Sequence, residues 1–184
     1  MRAWLICGII CVSLVKEAQA DSPDSTNNRL VQAQHRLEWN TQYSFNGLLT
    51  GLGYTYAKPR HEWTVALRFP VVMVSQSEYM GTGGFLSYRK LFPMASPSWM
   101  MTADVAYGNL LRGSASPVDE RKGLYHLHEA YVGYGWQWRT SRICIGNTIG
   151  YGYYVETQTN FYNSEPLRAF GHGAQIKLWL GYAF

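Results

Sequence analysis

The chain has 184 residues, with 47% hydrophobic, 15% aromatic and only 15% charged residues, and a formal net charge of +4. The charged share is well below the roughly 25% of average soluble domains, while Tyr 14 and Trp 7 enrich the chain in amphipathic rings. The small, scattered positive charge gives no argument for nucleic-acid binding.

Residues 1–20 read as a secretory signal peptide. Met1 and Arg2 open it, an apolar run covers Ala3 to Val15, and Ala18-Gln19-Ala20 precedes the polar Asp21-Ser22. The apolar run is too short for a membrane helix, which needs about 20 residues. Residues 21–28 read as a flexible polar lead, and 29–184 as one domain. Cys144 is the only cysteine after the signal, so no internal disulfide can form.

From residue 29 onward the dominant period is two, the signature of strands with one apolar face. The first strand is expected at about 29–40, with Arg36 and Glu38 on its polar face. The second covers about 47–57. The third, about 62–74, alternates Trp63, Val65, Leu67 and Phe69 with Thr64, Ala66 and Arg68. Pro70 within it removes a ladder hydrogen bond and suggests a bulge. The fourth, about 82–92, sets Leu86 and Tyr88 against Ser87 and Arg89. The fifth, about 99–110, sets Trp99, Met101 and Val105 against Thr102 and Asp104. The sixth, about 124–138, sets Val132, Tyr134, Trp136 and Trp138 against Glu129 and Gly133. The seventh covers about 143–155, and the eighth runs from about Phe170 to Phe184.

Eight strands are an even number, as an up-and-down barrel requires. No stretch after residue 20 is apolar enough for a membrane helix, so a chain that spans lipid must close into a barrel. The connectors 41–46, 75–81, 111–123 and 156–169 read as the longer set, and 58–61, 93–98 and 139–142 as short turns. Short periplasmic turns, longer outer loops and both termini in the periplasm are the pattern of outer-membrane barrels.

Alternation alone does not separate this from a soluble lipocalin-like barrel, whose apolar face is the inner one. The polar face decides. It is mostly Gly, Ala, Thr, Ser and Gln, with Arg36, Glu38, Arg68, Arg89, Asp104, Glu129 and Lys177, which suits a narrow filled lumen better than a solvated exterior. Those seven are expected to form a lumenal charge network, with Lys177 beside Arg36 and Glu38 at the closing seam. Trp63, Trp99, Trp136 and Trp138 are expected in an aromatic girdle.

The last residues, Ile176, Leu178, Leu180, Tyr182 and Phe184, alternate strictly and end on an aromatic. This ending resembles the closing strand of bacterial outer-membrane barrels, which in that family is read by the barrel-assembly machinery. With the strand count and signal peptide, the whole mature chain resembles small eight-stranded outer-membrane proteins of the OmpA/OmpX type. The resemblance implies an all-β transmembrane barrel in the outer membrane of a Gram-negative-type bacterium. It also implies contact with lipid and lipopolysaccharide, and a structural or recognition role.

Other chemistry is weaker. Some barrels of this size modify lipid A, and the deacylases among them carry a His and a Ser two residues apart. Here His126 is followed by His128, and no His-x-Ser occurs. His126, His128 and His172 are expected outside, at a membrane interface, and do not make a metal site. No cofactor motif is present. The polar loops 111–123 and 156–169 are the candidate recognition elements.

Overall fold

Period-two patterning becomes a closed sheet. In the computed structural model, residues 34–44, 47–73, 81–96, 98–114, 123–160 and 167–184 are described. The expected signal peptide, the polar lead and the start of the first expected strand lie outside them. Eight strands follow in chain order: β1 (Gln34–Ser44), β2 (Gly47–Ala57), β3 (His61–Met73), β4 (Gly83–Pro93), β5 (Trp99–Ser114), β6 (Gly123–Arg139), β7 (Ile143–Asn160) and β8 (Leu167–Ala183). Each pairs with its sequence neighbours, and β8 pairs with β1, so the sheet closes. All pairings are antiparallel. Closure removes the exposed edge that the C-terminal strand would otherwise present.

The seam sets Leu37 opposite Tyr182 and Trp39 opposite Leu180. Pro70 behaves as its chemistry requires. It lies beyond the last β3–β4 pair, Arg68 with Gly83, so its missing N–H interrupts nothing there. On the other side the β2–β3 register shifts between Leu48 and Leu49, which leaves Val71 as the extra, bulged residue.

Three expectations need correction. The first strand runs on to Ser44, and only positions 45–46 separate it from β2. The first connector therefore breaks the expected run of long loops. Gln42 and Ser44 continue the inward face and Tyr43 the outward one. A strand whose inner residues are polar loses its hydrophobic contrast without losing its ladder. Gly47, at φ 123°, takes the positive-φ geometry that lets the chain reverse so tightly.

Second, the loops expected at 111–123 and 156–169 are shorter. The β5–β6 ladder continues to Ser114 with Gly123, and the β7–β8 ladder to Gln158 with Leu167. Polar residues extend these strands, so the apolar pattern stops before the hydrogen bonds do. The rest of both loops, 115–122 and 161–166, lies outside the described residues. Third, Lys177 stands opposite Gln42, while Arg36 and Glu38 face Ala183 and Gly181. The stagger of strands in a closed barrel separates groups that strand adjacency alone would join.

Candidate functional site: a charged lumen in an apolar wall

Alternate residues of every strand point inward, and the interior they build is ionic. Among the described residues, four cations (Arg36, Arg68, Arg89, Lys177) and four carboxylates (Glu38, Glu62, Asp104, Glu129) are at most 3% exposed. Buried charges are tolerated only when paired and hydrogen-bonded. These are, in three tiers.

Nearest the short turns, the Arg36 guanidinium donates to Glu62. Gln137 donates to the same carboxylate at 3.1 Å. Arg89 binds both Glu38 and Glu62, the latter at 3.1 Å. Thr55 also donates to Glu38, at 3.0 Å. In the middle, Lys177 pairs with Asp104 and donates to Ser87 at 2.9 Å. Ser87 and Tyr131 donate to Asp104 at 2.7 and 2.8 Å. Above them, Arg68 binds Glu129 at 2.5 Å and Gln42 at 2.9 Å. Gln42 in turn donates to Gln175 at 2.7 Å. Toward the longer connectors, Leu49, Leu110 and Leu127 pack together with Tyr154 against them.

Glycines make room for the bulk. Trp179 is 2% exposed and lies where a Cβ on Gly146 would stand. The Arg89 guanidinium sits 4.4 Å from its ring centre. Tyr131 similarly fills the space left by Gly133 and Gly150, and Gln175 that left by Gly152. The gap bounded by Gln42, Arg68, Phe85, Glu129, Tyr131 and Gln175 is too small for a water molecule. Cys144 is buried among these groups as a free thiol.

All seven charged positions expected in the lumen lie there. Glu62, outside the expected seven, completes the set. It shares parity with Thr64, Ala66 and Arg68, and four cations against three carboxylates already pointed to a missing anion. Lys177 donates to Ser87, but the lysine is itself paired with Asp104. A serine nucleophile needs a free base and an open approach; Ser87 is buried, its hydroxyl donates to Asp104, and the neighbouring Lys177 is ion-paired.

The outer face is the complement. Leu37, Leu52, Leu67, Val132, Ile149 and Leu178 are all more than half exposed. The C-terminal set Ile176, Leu178, Leu180, Tyr182 and Phe184 also points outward. Trp63, Trp99, Trp136 and Trp138 face outward toward the short-turn end, and Trp99 and Trp136 pack at 5.0 Å. Histidines join this face through tyrosines on neighbouring strands. His61 lies 2.7 Å from the Tyr88 hydroxyl and His128 2.7 Å from that of Tyr107. His35 and Tyr54, and His172 and Tyr151, form equivalent pairs. His126 is exposed on the outer face. Among the described residues no group of three or more His, Cys, Asp or Glu converges as a metal site.

The fold and this inside-out distribution define an eight-stranded barrel of the type found in outer-membrane proteins. Among solved structures, the chain is similar to the N-terminal β-barrel domain of Pseudomonas aeruginosa OprF, with a TM-score of 0.54 and 12% identity over 83% of this chain and 100% of that one. It is also similar to Neisserial surface protein A, with a TM-score of 0.51 and 10% identity over 83% and 96%. At this identity the likeness is one of fold. No protein-family model matches the chain, and no curated protein matches it in sequence.

Proposed function

We propose that this protein is an integral barrel of a bacterial outer membrane, with its termini in the periplasm, acting structurally or in surface recognition through its longer connectors. One observation carries the reading: charges are inside, and large apolar side chains are outside. A lipocalin-like barrel in water needs the reverse. Lipid satisfies the apolar wall, and closure satisfies every backbone group that lipid cannot. The outward tryptophans then serve as an interface girdle. The alternating C-terminal residues serve as the signal for assembly.

The filled interior favours a rigid pillar over a channel, since the lumen of an eight-stranded barrel is just wide enough for its own side chains. Recognition, of lipopolysaccharide or an extracellular ligand, then belongs to the surface above β5–β8, whose strands are longer than those of β1–β4. Neisserial surface protein A, with the same fold, is by its name a surface protein.

The test is fractionation of a bacterium expressing the chain, followed by gel migration with and without boiling. The reading expects recovery in the outer-membrane fraction and a compact band that shifts on heating. Recovery from the periplasm without detergent contradicts it. Cleavage of intact cells by an added protease within 115–122 is expected if this end faces outward, and protection of that segment would reverse the orientation.

A further inference from the structure

The short-turn end carries a charge bias that neither the closure of the barrel nor its lumen requires. The described acidic side chains are Glu38, Glu62, Asp104, Glu129 and Glu156. The first four are buried in the lumen, and Glu156 lies toward the opposite end, paired with Ala169. Around the short turns the described charged side chains outside the lumen are basic.

Three of these converge on one side. Lys58 and Arg60 lie in the β2–β3 turn and are exposed. The turn is closed by the Lys58 N–H donating to the His61 carbonyl at 2.7 Å. The Arg60 carbonyl accepts from the Leu91 N–H at 2.8 Å, and His61 is the register partner of Lys90. The backbone therefore holds Lys58, Arg60 and Lys90 together at the rim.

Directly beside them lies a continuous aromatic shelf. Tyr56 and Trp63 stack at 6.0 Å, Trp63 and His61 at 5.9 Å, and His61 and Tyr88 at 6.0 Å. The Lys58 ammonium stands 5.9 Å from the Tyr56 ring centre and 5.8 Å from that of Trp63. Rings of this kind settle at headgroup depth. Long basic side chains lay their stems on apolar surface and hold their charge at the polar boundary. Cations over rings at that depth present positive charge to the headgroup phosphates.

We propose that Lys58, Arg60 and Lys90, grouped at the rim beside the rings of Tyr56, Trp63, Tyr88 and Phe92, form a binding site for the phosphate of an anionic phospholipid. The lipid belongs to the leaflet at the short-turn end, with its acyl chains running along the apolar wall of β3 and β4. The assignment rests on the membrane reading above and adds a selectivity which that reading does not need.

The test uses the processed full-length barrel folded into bilayers of phosphatidylethanolamine and phosphatidylglycerol. Lipid retained after detergent extraction is counted by native mass spectrometry. The wild type is expected to retain phosphatidylglycerol preferentially. The triple variant K58Q/R60Q/K90Q is expected to lose that enrichment by at least about fivefold, the effect of one basic residue near an anionic surface. Arg142→Gln, on the β6–β7 turn, is expected to change it less than about twofold if charge acts locally, within a Debye length. Heat-shifted migration confirms that each variant is folded.

Equal retention of both lipids, or undiminished enrichment in the triple variant, overturns the proposal. A loss with Arg142→Gln as large as with the triple variant shows a diffuse field and also overturns it. Displacement of the lipid by glycerol 3-phosphate in solution replaces the lipid site with a soluble-phosphate site. A barrel that enters no bilayer fails the membrane reading itself, whereas one that inserts without lipid preference fails only this inference.

Discussion

The interior and the exterior of this barrel are made by the same strands, one residue apart, yet they obey opposite rules. On β4, Arg89 is completely buried between Glu38 and Glu62. Three residues before it, Leu86 is 52% exposed. The interior depends on particular partners: each buried charge has a named counter-charge, and Trp179, Tyr131 and Gln175 each fill the space of a named glycine. The exterior depends only on being apolar, and its residues are interchangeable so long as lipid is the solvent. Inward substitutions should therefore be judged by what they leave unpaired, and outward ones by polarity alone.

The largest expected effect follows from Arg89→Ala. It leaves two buried carboxylates short of a cation and should cost about 3–5 kcal/mol, read as a lowered urea midpoint of the folded band in lipid vesicles. Lys177→Met should cost a similar amount because Asp104 loses its paired cation and keeps only hydroxyl donors. The double variant Asp104→Leu/Lys177→Met should recover much of that loss, since removing both charges leaves none unpaired. A double variant as unstable as the single one would show that the ion pair itself holds the barrel together.

Outside, Val132→Arg at the centre of β6 should cost about 2–4 kcal/mol in a bilayer, whereas Val132→Leu should be nearly silent. Equal tolerance of both would break the contrast. Gly146→Val is expected to cost about 1–3 kcal/mol by overpacking and to shift the emission of Trp179, which occupies the space the new side chain needs. The smallest effect is expected from His172→Phe, which keeps a ring beside Tyr151 and loses one polar contact, about 0.5–1.5 kcal/mol.

Much of this was legible in the sequence because parity in a strand is a rigid rule. Asp104, Glu129 and Lys177 could be placed inside from their neighbours alone. Which charge meets which could not. Lys177 sits on the strand beside Arg36 and Glu38 but reaches Asp104, because strand stagger is a property of the closed barrel and leaves no local trace. Gln42 and Ser44 fall in an expected connector because a polar inner face mimics a loop. Glu62 stands at the edge of an expected strand, next to the expected turn 58–61, where that strand's alternation has no outward neighbour before it to mark its parity.

The central claim, an ionic interior inside a lipid-facing wall, is tested most directly by depth-dependent quenching. Two variants retaining a single tryptophan, Trp136 or Trp179, would be folded into bilayers of brominated phospholipid. Trp136, outward and 41% exposed, is predicted to be strongly quenched. Trp179, stacked on Arg89 inside the barrel, is predicted to keep its emission. Equal quenching of the two, with both variants folded, would contradict the account.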